Sequence, residues 1–310
     1  MLTRVASVIP VLLIASILIF VAMRVVPGDP VSVLAQGTPL SAEQRAALTA
    51  EYHLDQPIPR QYLAWLGGAL HGDFGTSLKS GRPVSDILAE AIPRTLLLLA
   101  GAFVIALLLS IPLALIAALR EGKAIDQIVI SSTVVVFSVP LFISSLLAIY
   151  IFSFQLNVLP AFGLDFSAGP SEVVRHMILP WCTLGLALLA AQTATTRAGL
   201  VDALHQEYIV MAESRGLRWR HVVRRHAVRS ALVPVITLLG LQLSYMIVGS
   251  VFVDFIFGLG GLGSVLVTSV NSRDLTVVQA SVMCVSVFFV LANLVVDLVA
   301  RRLDPRYELR

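Results

Sequence analysis

The chain has 310 residues, 57% of them hydrophobic and 13% charged, where soluble domains carry about 25% charged residues. With a mean hydropathy of +0.88, this excludes a soluble globular protein, a disordered chain and a coiled coil. The net charge of +3 does not point to nucleic acid, because its placement is topological.

Crossing a bilayer takes about 20 mostly apolar residues, and six runs qualify: 8–27, 95–119, 127–154, 177–197, 233–257 and 277–300. The first is too long for the apolar core of a signal peptide and lacks a small-residue cleavage site before Pro27, so it reads as a retained helix. The polar stretch 28–94 reads as a small structured element, with a helix start at Ser41 and Glu43 and with Tyr52, Tyr62, Trp65 and Phe74 to pack. Between the fourth and fifth spans, 199–216 carries Leu200, Ala203, Leu204, Tyr208, Met211 and Ala212 at helical spacing, and Gly216 supplies the stop. A second amphipathic stretch, 219–232, sets Arg220, Arg224, Arg225 and Arg229 against Val222, Val223, Ala227 and Val228 before Pro234. The loop 258–276 opens on a glycine-rich hinge and then presents Asn271, Arg273 and Asp274.

Six spans put both termini on one side. The loops on that side, 1–7, 120–126, 198–232 and 301–310, hold thirteen Lys and Arg, against seven in the longer set 28–94, 155–176 and 258–276. The positive-inside rule therefore places both termini and 198–232 in the cytoplasm and 28–94 outside. A basic helix pair held by anionic lipid headgroups is one reading of 198–232.

No residues for catalysis stand out. Gly122-Lys123 is followed by Ala124 and lacks the upstream glycine of a phosphate loop, and neither HExxH nor GxSxG occurs. Cys182 and Cys284 each sit in an apolar run, which leaves no disulfide framework. The six histidines have no spacing for metal or haem and read as surface or capping residues. Inside the spans the polar groups are Gln192, Thr195 and Thr196, then Gln242 and Tyr245, then Asn293. Gln242 and Tyr245 are three apart on one helix face and either line a polar passage, the reading preferred here, or act as hydrogen-bonding glue between helices, the role that Gln192 and Asn293 are read to have. Asp254, before the glycine-rich turn, either lines an outer gate or anchors the loop.

Several segments together resemble one family. They are Arg24-Val-Val-Pro-Gly-Asp-Pro30, Leu54-Asp-Gln-Pro57, Gln61-Tyr-Leu63, Gly72-Asp-Phe-Gly-Thr-Ser77, Pro93-Arg-Thr95, Ser138-Val-Pro140, Leu159-Pro160 and His176-Met-Ile-Leu-Pro180. Tyr208, Ala212, Arg215 and Gly216 follow, then Arg225-His-Ala-Val-Arg229, Pro234, Gly260-Gly-Leu-Gly263, Arg273-Asp274 and Asp304-Pro-Arg306. In order and spacing they are similar to the B-type permease subunit of the dipeptide and oligopeptide ATP-binding-cassette importers. Glu213, Ser214 and Asp254 depart from the family pattern.

The resemblance implies an all-α polytopic membrane protein of the bacterial inner membrane, with the six-helix fold of type I ABC importer permeases and a small extracytoplasmic insertion after the first helix. The domains are then 1–27, a first transmembrane helix; 28–94, extracytoplasmic; 95–300, a five-helix core including 198–232; and 301–310, a cytoplasmic tail. It implies no cofactor in this chain, with ATP and Mg in one or two partner ATPases, a second homologous permease, and an extracytoplasmic binding protein that delivers a peptide. Nickel and haem are alternative cargoes. A coupling helix at about 205–215 would sit in a groove of the ATPase, with Tyr208, Ala212, Arg215, Gly216, His226 and Arg229 as the coupling residues. Gln242, Tyr245 and Asp254 would line the passage, and Asn271, Arg273 and Asp274 would touch the binding protein. A secondary transporter would instead show an inverted repeat, broken spans and a mid-membrane charged site, none of which is legible in the sequence.

Overall fold

The computed structural model describes residues 2–25, 41–43, 49, 56–207, 211 and 228–303. In chain order the helices are α1 (Leu2–Val25), α2 (Ile58–Leu70), α3 (Val84–Ala118), α4 (Ala124–Ser138), α5 (Leu141–Ala148), α6 (Pro170–Leu186), α7 (Leu189–Leu204), α8 (Val228–Phe257), α9 (Leu262–Asn271) and α10 (Leu275–Leu303). A π-helical segment, Ile149–Gln155, continues α5. Among the described residues, two helical stretches, Val84–Ala118 and Leu275–Val295, are long and apolar enough to cross a membrane, and the number rises to five when each bent helix pair counts as one span. Helix α1 adds an apolar stretch over Ile9–Ala22. Helix α3 starts at Val84, ahead of the expected span at 95.

The chain divides into two compact units. The first holds Met1–Arg94 and Gly260–Val290. Here residues 42–43 are helical directly after Ser41, where a helix start is expected. Tyr62 and Trp65 of α2 pack on Phe20 of α1 with ring centroids 5.5 and 6.0 Å away, and the Tyr62 hydroxyl meets Ser16 Oγ at 2.8 Å. The motif around Gly72–Ser77 is a tight turn: Gly75 N–H bonds Asp73 Oδ1 at 2.9 Å, and Val84 N–H bonds the Gly75 carbonyl at 2.9 Å. Val84, Leu88 and Ala91 of α3 bury with Leu262 of α9 and with Val277 and Ala280 of α10. The stretch expected to be a loop with a flexible hinge thus contains a packed helix, α9, whose Leu262 is buried.

The second unit holds Thr95–Leu259 and Leu291–Arg310. Its core gathers Leu98, Ala102 and Ala106 of α3, Met177, Leu179 and Leu184 of α6, Leu188, and Met246, Val253 and Phe257 of α8. The Trp181 indole occupies the space beside Gly101 and donates Nε1–H to the Leu97 carbonyl at 2.9 Å. Helix α8 ends in a Schellman motif: Leu259 N–H bonds Asp254 O at 3.1 Å and Gly258 N–H bonds Phe255 O at 3.2 Å, with Gly258 at φ +59°.

Two expectations are corrected here. The third and fourth spans are broken, α4 to α5 by 94° and α6 to α7 by 57°. Pro140 has no N–H and forces Val139 to extended backbone (φ −81°, ψ 122°), which ends α4. At the second break Leu188 N–H bonds Gly185 O, three residues back, and the tightened turn redirects the chain. The run 199–216 is not one helix either. Helix α7 stops at Leu204, where Gln206 N–H closes on Ala203 O in the same three-residue fashion.

Candidate functional site

At the end of α7 that leads toward residues 205–216, three helices converge. Ala114 and Ala118 of α3 bury against Leu200, flanked by Leu115 and Val201. Arg197 of α7 makes a bidentate pair with Asp126 of α4, Nε to Oδ1 and Nη2 to Oδ2, both at 2.5 Å. Asp126 also accepts Gly122 N–H at 2.9 Å, so the Arg120–Lys123 turn is tied to the same carboxylate. His205 Nε2 stands 3.6 Å from Glu121 on the surface. The four-residue spacing that reveals a helix face cannot show this clamp, because its partners lie 71 residues apart. The available signal was one opposite charge at an end of each of two neighbouring spans.

The coupling residues Tyr208, Ala212, Arg215, Gly216 and His226 lie outside the described residues, and Arg229 falls in the first turn of α8. Of the passage residues, Gln242 is 5% exposed and Tyr245 75% exposed. Tyr245 belongs to an exposed stripe on α8 with Val248, Phe252 and Phe255. Gln242 lies on the buried side with Met246 and Val253. Asp254 is buried in the last turns of α8. Gln192, expected as interhelical glue, is fully buried, yet neither its Oε1 nor its Nε2 has a hydrogen-bond partner.

In the other unit, Asn271 ends α9 on the surface, and Arg273 is exposed at φ +57°. Asp274 points inward instead. Its carboxylate accepts Ser77 Oγ–H at 2.5 Å, Leu78 N–H at 3.2 Å and Lys79 N–H at 3.4 Å, and caps α10 through Val277 N–H at 3.4 Å. The resemblance motif Arg273-Asp274 is therefore in part a structural tether for the Gly72–Ser77 motif. His71, the C-cap of α2, sets Nδ1 against the Gly67 carbonyl at 2.8 Å, and His176, within α6, sets Nδ1 against the Gly163 carbonyl of a loop at 2.8 Å.

Residues 110–309 match the family described as binding-protein-dependent transport system inner membrane component, and residues 1–99 match the N-terminal family of the same membrane components. The chain is 36% identical over 307 residues to the glutathione transport system permease protein GsiC of Escherichia coli strain K12, covering 98% of each. The protein of that name from Salmonella typhi is 36% identical over 309 residues, 99% of this chain and 98% of the relative. Among solved structures, an inward-facing MetNI methionine ABC transporter chain superposes with a TM-score of 0.58 at 14% identity, over 70% of this chain and 96% of that one. An amino acid ABC transporter chain superposes with a TM-score of 0.51 at 20% identity, over 72% and 94%. At those identities the two likenesses speak to the fold alone.

Proposed function

We propose a peptide importer role for this chain, which belongs to the family of binding-protein-dependent transport system inner membrane components. It is a multi-pass inner-membrane permease, all-helical and similar in fold to ABC importer permeases. As such it is a non-catalytic subunit, with ATP hydrolysed by a partner ATPase, and the family implies a paired permease and a binding protein. The cargo we assign is a dipeptide or short oligopeptide. The observation carrying this is full-length likeness to a permease named for glutathione, a tripeptide.

In this reading six spans cross the membrane with both termini in the cytoplasm. The helix at about 205–215 docks on the ATPase through Tyr208 and Ala212, and Arg215, Gly216, His226 and Arg229 complete the contact. Closure of the ATPases shifts this helix as a rigid body, and the spans rock to open a passage inward. The Asp126–Arg197 clamp supports that role by tying α7 to α4 just before the docking segment. Gln242, Tyr245 and Asp254 line the passage and its outer end. Outside, Asn271 and Arg273 meet the binding protein, with Asp274 fixing the loop beneath them.

The test is reconstitution of the chain with its second permease, ATPases and binding protein, followed by uptake of labelled dipeptides, glutathione, nickel and haem. ATP-dependent, saturable peptide uptake is expected. Uptake of nickel or haem without peptide uptake overturns the cargo assignment.

A further inference from the structure

Of the buried polar side chains of the second unit that have no hydrogen-bond partner, which include Ser110 and Ser153, four lie on two helices: Gln192, Thr193 and Thr196 of α7, and Gln242 of α8. Both atoms of each glutamine amide are unpartnered, as are both threonine hydroxyls. Elsewhere most helical hydroxyls bond their own backbone, as Thr133 does to Ile130 O at 2.8 Å, Thr183 to Leu179 O at 2.7 Å and Ser250 to Ile247 O at 2.8 Å. Buried polar groups are ordinarily paired, and several orphans in one place call for a ligand or a second arrangement.

These four orphans lie on two helices, α7 and α8, that pack together. A Cβ at Gly249 of α8 would sit 3.1 Å from Leu184, and Leu188 and Met246 share the core cluster. One turn further along each chain, in opposite directions, come Gln192 and Gln242. Among the described residues beside these four, Arg197 of α7 is committed to Asp126. The chemistry of this seam is that of amides and hydroxyls, which donate and accept at once. Such a set pairs with N–H and C=O groups of a peptide bond and is indifferent to side-chain identity.

We infer that the α7–α8 seam is a cargo-contacting site, closed in this structure, that takes the neutral peptide groups of the cargo when the helices part. The inference rests on the peptide reading above and extends it from Gln242 to Gln192, which the sequence pattern assigned to glue, and to Thr193 and Thr196. The 57° joint between α6 and α7 lies immediately before Gln192, which gives α7 a point about which to swing. If the glutamines were glue, they would be bonded to a neighbouring helix here, and they are not.

The two roles give opposite signs on mutation. Replacing an unpartnered buried amide by leucine is neutral or stabilising, whereas removing a made hydrogen bond destabilises. In the assembled transporter, Gln192→Leu with Gln242→Leu is expected to leave the melting midpoint unchanged or raised. ATPase stimulation by loaded binding protein should stay within about twofold, and peptide uptake should fall at least about tenfold, as for loss of a paired polar contact. A second reading does not depend on cargo: Thr196→Cys, in a chain with Cys182→Ser and Cys284→Ser, should react with a hydrophilic thiol reagent during ATP turnover and not at rest. A lowered melting midpoint, or no labelling during turnover, overturns the site. Peptide uptake that survives the double replacement overturns it too, while leaving the peptide reading intact. Absence of peptide uptake by the unmodified transporter overturns the peptide reading and, with it, the ligand assigned to the seam.

Discussion

Arg197 grips Asp126 with both arms of its guanidinium fork, two bonds of 2.5 Å across from α7 to α4. Asp126 sits in the first turn of α4, where the helix dipole favours a carboxylate. The side chains are 25% and 7% exposed, so removing one partner strands a largely buried charge. Asp126→Ala or Arg197→Met alone is therefore expected to destabilise the purified permease by about 2–4 kcal/mol. Asp126→Leu together with Arg197→Met should cost less than the sum of the singles in thermal melts. Strictly additive losses would show that the two residues act separately.

Exposure, not length, sets the strength of such a pair. Arg82 and Glu90 also approach to 2.5 Å, but with 49% and 57% of each side chain exposed. Glu90→Gln should leave the melting midpoint nearly unchanged, because solvent screens the pair and ordering its long side chains offsets the gain. A loss as large as that of Asp126→Ala in the same melting assay would contradict this.

The crossing of α3 and α6 depends on a missing side chain. A Cβ at Gly101 would stand 2.0 Å from the Trp181 ring, and moving that ring breaks its bond to the Leu97 carbonyl. Gly101→Ala is expected to cost at least about 2–3 kcal/mol through overpacking and the lost bond. Adding Trp181→Leu should recover part of the melting temperature, since it removes the obstacle. No recovery would locate the strain elsewhere.

The spans were legible because about twenty apolar residues in a row have few other uses, and Tyr62 and Trp65 were recognisable as packing residues. Direction was harder. Pro140 was in plain view, but hydropathy records how apolar a run is and not where it turns. The joint at Leu186–Leu189 has no proline at the break; beside it, Gly185 lies so close to α3 that a Cβ would stand 2.8 Å from the Ala102 carbonyl. That contact is tertiary and leaves no local pattern. Helix α9 was hidden behind its glycines, and Gln242 and Tyr245, three apart, ended in opposite surroundings because only one meets a neighbouring helix. The Asp126–Arg197 pair joins positions that no helical period connects.

Asp274 carries two roles that can be separated. As a cap it bonds Val277 N–H, and as a tether it holds Ser77 and Leu78. Asparagine caps as well as aspartate, so Asp274→Asn should preserve α10 and weaken mainly the charge-assisted bond to Ser77. Asp274→Ala should lose both and cost about 2–3 kcal/mol. Limited proteolysis between Leu78 and Arg82 reads the difference: cleavage rises modestly in the asparagine variant and strongly in the alanine variant. Equal cleavage in all three proteins would mean that the tether does not hold the turn.

Docking and transmission should fail in different ways. Tyr208→Ala and Gly216→Val alter the segment proposed to sit in the ATPase, so the ATPase should no longer copurify with the permease. Asp126→Asn leaves that segment intact and loosens only the junction of α7 with α4. The ATPase should then remain bound and hydrolyse ATP, while uptake per ATP falls, because a lever with a slack pivot moves without shifting the spans. Copurification and the ratio of uptake to hydrolysis, measured on the same reconstituted preparation, separate the two. Loss of ATPase binding in Asp126→Asn would make the clamp part of the docking surface and not the pivot behind it.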